Sequence, residues 1–134
     1  MTKLVDIEGV GKTYAAKMEK IGVKTVEELL RQGASKKGRT ALAEKSGVSD
    51  KLILEWVNRA DLTRIRGVST QYADLLESAG VDSVPELAQR NAENLQQKMA
   101  EVNTKKKLLR LVPGINSVSS WVEQAKKLPK LVTH

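Results

Sequence analysis

The sequence predicts an all-α fold made of two tandem pseudo-repeats of short helices. Apolar residues recur at helical spacing along the chain, and no run alternates convincingly enough to be a strand. Residues 7–29 return as residues 65–87, with eleven of the twenty-three positions identical, and such internal repetition indicates architecture directly. Phe is absent and there are only two Trp and two Tyr, so we expect an aliphatic core. We predict units over 1–62 and 63–134, packed as one compact domain or as two halves.

The first unit is predicted to contain four helices, separated by glycine and by capping residues. Gly22 should stop the first of them in the left-handed conformation that glycine adopts without strain. Thr25 should cap the second, with Glu28 completing a capping box, and Ser35 should cap the third. The helices are expected near 12–20, around 26–30, over about 36–46 and around 52–60.

The second unit should repeat this plan with an insertion. Helices are expected near 70–79, 84–90, 92–102, 105–111 and 117–127, with a break at Pro113-Gly114. Trp121 matches Trp56 but lies 65 positions later instead of 58, which places about seven extra residues in or near 104–116. Both tryptophans, and the repeated Tyr14 and Tyr72, lie on apolar helix faces, so we interpret them as core residues.

Each repeat opens on a turn that can present backbone N–H groups to an anion. In the first unit this turn is Gly9-Val10-Gly11, followed by Lys12. The first turn of a helix has unpaired N–H donors and roughly half a positive charge, and glycine lets another backbone approach closely. The second turn, Gly67-Val68-Ser69, has Ser in place of the second Gly. It follows Arg66, where the first unit has an acidic residue, Glu8.

Residues 7–18 resemble a helix-hairpin-helix motif, in which a hydrophobic residue and a Gly-hydrophobic-Gly turn precede a helix. Over nearly its full length the chain is similar to an uncharacterised tandem helix-hairpin-helix family known only as a domain of unknown function. Residues 41–47, 55–62 and 121–129 also carry this resemblance. The resemblance implies that the N–H groups of Gly9, Gly11 and Lys12 hold a DNA phosphate, with the Lys12 ammonium as a second contact. It also permits a monovalent cation at the first hairpin, held by backbone carbonyls; no other cofactor is expected.

The charge of the chain favours a polyanionic partner. Lys and Arg number 23 against 16 acidic residues, for a net charge of +7. Two basic clusters are each predicted in the first turn of a helix, where cations oppose the macrodipole at a cost of ~0.3–1 kcal/mol each and a bound anion would reverse that cost. The alternative is that these side chains are simply solvated and screened. The first-turn residues are Lys36, Lys37 and Arg39 in one cluster and Lys105, Lys106 and Lys107 in the other. Arg110 joins the second cluster in a basic patch around the inserted segment.

The predicted nucleic-acid contacts therefore combine the two hairpins with the two clusters. They are Gly9, Val10, Gly11, Lys12, Arg66, Gly67, Val68, Ser69, Lys36, Lys37, Arg39, Lys105, Lys106, Lys107 and Arg110. Backbone contacts of this kind position a protein on a duplex without reading bases. The scarcity of aromatic residues argues against a stacking platform for single strands.

Catalytic chemistry finds no support in the sequence. There is no Cys, the single His is the terminal His134, and no catalytic triad, metal-ligand cluster or phosphate-binding P-loop is present. The chain lacks a segment resembling a signal peptide and any apolar run long enough to span a membrane, so we expect a soluble cytoplasmic protein with no membrane partner.

We therefore expect a non-enzymatic accessory factor that binds double-stranded DNA without sequence specificity. The alternative is a protein-protein interaction module whose hairpins are packing joints and whose basic faces meet an acidic partner. RNA binding is a third hypothesis. The pattern does not indicate an oligomeric state.

Overall fold

The computed structural model describes residues 3–7, 10–107 and 110–133, and this part of the chain is all-α, as predicted. A 3-10 helix at Leu4–Asp6 precedes eight α-helices in the described ranges. They are α1 (Gly11–Lys20), α2 (Val26–Gly33), α3 (Lys36–Ser46), α4 (Asp50–Leu62), α5 (Thr70–Ser78), α6 (Val84–Ala88), α7 (Ala92–Lys106) and α8 (Ile115–Lys127). An isolated antiparallel bridge pairs Lys3 with Thr25.

The chain divides into two compact units, and its C-terminal end belongs to the first. Unit 1 comprises Met1–Asp61 with Leu131–His134, and unit 2 comprises Leu62–Lys130. The sequence-based division instead carried the second unit to residue 134. Val132 is buried in the core of unit 1, and the Thr133 N–H donates to the Ala34 carbonyl at 2.8 Å. This long-range pairing has no counterpart in the local sequence pattern.

Each unit has its own aliphatic core with one Tyr–Trp pair. In unit 1 the rings of Tyr14 and Trp56 lie 5.2 Å apart between centroids, tilted by 57°. In unit 2 the rings of Tyr72 and Trp121 lie 5.4 Å apart, tilted by 46°. Both tryptophans are buried, which confirms their predicted place in the core. Four apolar pairs related by the 58-residue offset are buried in both units: Ile7 and Ile65, Met18 and Leu76, Val23 and Val81, and Leu29 and Leu87.

The predicted caps in unit 1 are confirmed. The Thr25 hydroxyl accepts from the Glu28 N–H at 3.1 Å, and the Ser35 hydroxyl accepts from the Gly38 N–H at 3.0 Å. Gly22 follows α1 with φ +90°, a conformation that costs glycine no steric strain.

The prediction of separate helices at 92–102 and 105–111 was wrong. The chain forms one helix, α7, that continues to Lys106, and the Thr104 hydroxyl donates to the Ala100 carbonyl at 2.9 Å within it. The helix ends where Lys107 takes the left-handed conformation (φ 52°) and its N–H donates to the Asn103 carbonyl at 2.7 Å. Residues 110–114 are not helical, and 108–109 lie outside the described residues.

Candidate nucleic-acid interface

Within the described part of the chain, no side chain caps the N-terminus of α1. Val10 is buried and its N–H donates to the Ile7 carbonyl at 3.1 Å, which closes the turn. Gly11 then opens α1 with φ +64°, and Val10, the N-cap residue, makes no side-chain capping hydrogen bond. Gly11, Lys12 and Thr13 are exposed. The donors of this first helical turn are therefore accessible to an anion. Gly9, also predicted to contribute, lies outside the described residues.

A groove beside α1 brings Lys12 together with two lysines that the sequence analysis did not select. Its volume is about 460 Å³, and Lys3, Lys12 and Lys24 line it together with one carboxylate, Glu19. The bridge between Lys3 and Thr25 brings the chain before α1 alongside the loop after α1. No local pattern indicates this pairing, which explains why Lys3 and Lys24 were missed. Leu4, Val5, Ala15 and Ala16 complete the lining.

In the second hairpin the corresponding groups have partners within unit 2. Ser69 is extended (φ −78°, ψ 173°), and its hydroxyl caps α5 by accepting from the Tyr72 N–H at 3.2 Å. The Arg66 N–H donates to Gln124 Oε1 at 2.9 Å, and Gln124 Nε2 donates to the Arg66 carbonyl at 3.2 Å. Gly67 (φ +93°) packs so closely on Trp121 that a Cβ would lie 2.9 Å from the indole Nε1. Val68 is buried.

The helices that follow the two hairpins also differ in charge. Helix α1 contains three lysines and one glutamate, whereas α5 contains no Lys or Arg and carries Asp74 and Glu77. At the 58-residue offset, the groove lysines of unit 1 correspond to acidic or neutral residues. Lys3, Lys12 and Lys24 correspond to Asp61, Thr70 and Asp82. The cationic lining of the groove is therefore particular to unit 1.

The model of a family described as "Domain of unknown function (DUF4332)" matches residues 8–128. The chain belongs to this family. No curated protein and no solved structure matches the chain. Because the description of DUF4332 assigns no activity, the function has to be argued from the residues of the site.

Of the first predicted cluster, only the two lysines are available at the surface. Lys36 and Lys37 are exposed in the first turn of α3, as predicted. Arg39 is 5% exposed, and its guanidinium donates to the carbonyls of Gly33 (2.9 Å), Ala34 (3.0 Å) and Thr133. Arg39 thus ties the end of α2 to the C-terminal segment, and we no longer count it as a nucleic-acid contact.

The environment of Arg39 also affects its ionisation. Burial lowers the pKa of the Arg39 guanidinium, and the carboxylate of Asp50 partly opposes this effect. Arg39 lines a second groove of about 270 Å³ together with Lys36, Lys51 and Asp50. Lys36 therefore lines a different groove from Lys12, and the carboxylate of Asp50 offsets one positive charge there.

The lysines of the second predicted cluster lie at the C-terminal end of a helix, whereas the sequence analysis placed them at an N-terminal end. Lys105 and Lys106 occupy the last turn of α7 and Lys107 caps it, so the macrodipole favours these cations. The prediction for this cluster was therefore wrong, because there is no unfavourable interaction with the helix macrodipole for a bound anion to relieve. Lys105 pairs with Glu101 at 3.7 Å, and Lys106 bonds the Ser78 hydroxyl at 3.4 Å. Lys107 and Arg110 are exposed in unit 2.

No group of three or more His, Cys, Asp or Glu side chains in residues 3–7, 10–107 and 110–133 could hold a metal ion. Among the helices described, none combines the length and apolarity required to cross a membrane. The hypothesis of a monovalent cation at the first hairpin, and any role of His134, depend on residues outside the described ranges.

Proposed function

We propose that the first unit binds double-stranded DNA without sequence specificity and that the protein is a non-enzymatic accessory factor. The observation that carries this proposal is the open N-terminus of α1, where Gly11 and Lys12 are exposed at the hairpin and the N-cap residue makes no side-chain hydrogen bond. Helix N-termini bind phosphates through free N–H groups and the positive end of the macrodipole. Contacts of this type fix position on a duplex and carry no base information.

Charge supports a polyanionic ligand for this hairpin. The chain has a net charge of +7, and Lys36 and Lys37 add exposed cations elsewhere in unit 1. Lys107 and Arg110 add to the positive potential that attracts a polyanion from a distance. The second hairpin contributes less in this proposal, because its Arg66 N–H and the first turn of α5 already have side-chain partners.

An interaction module for an acidic protein is the second candidate. One observation favours it: Leu111 is 81% exposed and Ile115 is 41% exposed, close in sequence to Lys107 and Arg110. Exposed apolar side chains next to cations are typical of surfaces that receive an acidic amphipathic partner.

The test is a salt titration of binding to a short DNA duplex, with Gly11→Asp compared with two matched controls. Gly11→Asn places an uncharged side chain of similar size on the same left-handed backbone conformation. Gly47→Asp adds the same charge at another exposed, left-handed glycine (φ +76°), and a Cβ at either glycine meets nothing within 4 Å. We expect Gly11→Asp to lose tenfold or more in affinity, because a carboxylate ~4 Å from a phosphate costs roughly 1–4 kcal/mol.

Three outcomes separate the hypotheses. For the wild type, affinity should fall linearly with salt on logarithmic axes, with a slope set by the number of phosphates contacted. Equal losses in Gly11→Asp and Gly47→Asp would show that only overall charge matters and would overturn the hairpin contact. Absence of binding at low salt would overturn the DNA proposal and leave the interaction module. An RNA duplex of the same length tests whether binding is confined to DNA.

A further inference from the structure

We infer that Lys3 and Lys24 are further DNA contacts, and that together with Lys12 they form a phosphate-binding groove on unit 1. This inference rests on the proposed function and goes beyond the hairpin. It assigns a role to two lysines that lie outside the Gly-hydrophobic-Gly turn, on either side of α1.

The fold holds the two lysines at the groove through backbone contacts. Lys3 precedes the 3-10 helix, whose Leu4 is 3% exposed and whose last turn closes through the Ile7 N–H to the Leu4 carbonyl at 3.0 Å. The antiparallel bridge joins Lys3 to Thr25, the residue after Lys24. Because both attachments are made by the backbone, the two side chains remain available for a ligand.

The lining of the groove indicates what kind of ligand it fits. Three lysines face one carboxylate, Glu19, so the lining has an excess of positive charge. None of the three ammonium groups forms an ion pair with another described residue. The rest of the lining is apolar and includes Ala15 and Ala16. A cationic groove with an apolar part suits a sugar–phosphate backbone, whose sugar carbons can pack on alanine, better than a bare inorganic anion.

Unit 2 shows what the same scaffold looks like without this surface. At the 58-residue offset, Thr70 and Asp82 of unit 2 stand where unit 1 has Lys12 and Lys24. Lys3 corresponds to Asp61, which itself belongs to unit 1. Asp61 is fully buried and Asp82 is exposed. A phosphate at the corresponding place in unit 2 would meet Thr70 and the exposed carboxylate of Asp82 instead of Lys12 and Lys24. The lysines of the groove are therefore not repeated at the corresponding positions of unit 2.

The experiment compares two double variants in salt titrations against the same DNA duplex. Lys3→Gln with Lys24→Gln removes two charges from the groove. Lys20→Gln with Lys45→Gln removes two exposed charges from unit 1 that do not line the groove, so the change in net charge is identical. We expect the groove variant to lower the logarithmic salt slope by about 2, since each phosphate-contacting lysine contributes about 1. If binding at 1 M salt is unchanged, this corresponds to roughly a hundredfold loss at 0.1 M.

The outcomes distinguish this inference from the proposal on which it rests. A similar loss of slope in the control variant, or no loss in the groove variant, would overturn the groove while leaving hairpin binding intact. Failure of the wild type to bind any duplex would overturn both. Circular dichroism melting of all variants establishes that they are folded. Inorganic phosphate at millimolar concentration should compete weakly, and strong competition would contradict the requirement for a sugar–phosphate chain.

Discussion

The two hairpins follow the same sequence pattern but differ at the position after the central valine. In unit 1 this residue is Gly11, with φ +64°, no contact for an added Cβ and an uncapped helix after it. In unit 2 it is Ser69, with φ −78°, whose hydroxyl caps α5. The exchange of Gly for Ser at this position therefore goes with a different backbone conformation. It also goes with a difference in capping, because Ser69 accepts from a first-turn N–H of α5 whereas Val10 makes no such bond to α1.

The contrast extends to what supports each hairpin. The second is held by Gln124, which bonds both backbone groups of Arg66, and by Trp121, which packs against Gly67. These contacts suit a packing joint between helices. In unit 1 the groove lysines and the open N-terminus of α1 suit an external anion. Two units with similar cores thus combine one hairpin available for binding with one engaged in packing.

The largest predicted effect is on stability, and it compares how much the buried tryptophan contributes to each of the two cores. Trp56→Ala and Trp121→Ala should each lower the free energy of unfolding by about 3–5 kcal/mol, because each removes a buried indole and its ring contact with a tyrosine. Urea unfolding followed by circular dichroism measures both losses without relying on tryptophan fluorescence. Losses that differ by more than about 2 kcal/mol would contradict the view that the two cores are energetically alike.

The next prediction compares alanine at the two left-handed hairpin glycines. Gly67→Ala should cost about 2–4 kcal/mol, since backbone strain of roughly 1–2 kcal/mol adds to the displacement of Trp121. Gly11→Ala should cost only the strain, about 1–2 kcal/mol, because a Cβ there meets nothing within 4 Å. The same unfolding measurement distinguishes the two. Equal costs would mean that the second hairpin is no more tightly packed than the first.

Local elements of this fold could be predicted from the sequence because short-range chemistry determines them. The caps at Thr25 and Ser35 and the left-handed Gly22 depend on residues within one helical turn, and the structure has all three. The end of α7 was missed, because the sequence analysis divided residues 92–111 into two helices, whereas one helix continues to Lys106. That error placed Lys105 in a first turn and reversed the sign of its interaction with the helix macrodipole.

The composition of the candidate site was less predictable, since it depends on contacts between distant segments. Arg39 lies in a basic run that resembles a solvated surface, but the carbonyls of Gly33, Ala34 and Thr133 surround its guanidinium. Lys3 stands outside any cluster in the sequence and reaches the groove only through its bridge to Thr25. In both cases the decisive partner belongs to another element, where neither periodicity nor motif spacing can locate it.

The smallest predicted effect concerns the reason why the second hairpin is less suited to a phosphate. That reason is either the Ser69 cap or the negative charge of α5. Ser69→Gly restores the Gly-hydrophobic-Gly pattern in unit 2 and removes the cap from α5, at a cost of only a few tenths of a kcal/mol. We expect no gain in DNA affinity, because α5 carries Asp74 and Glu77 and no basic residue. Its N-terminus would lack a side-chain cap, but the net negative charge of the helix would disfavour a phosphate. The duplex titration used for Gly11→Asp measures this directly. A gain in affinity with a steeper salt slope would instead show that the serine cap alone closes the second hairpin, and that the lysines of unit 1 are secondary to its open backbone.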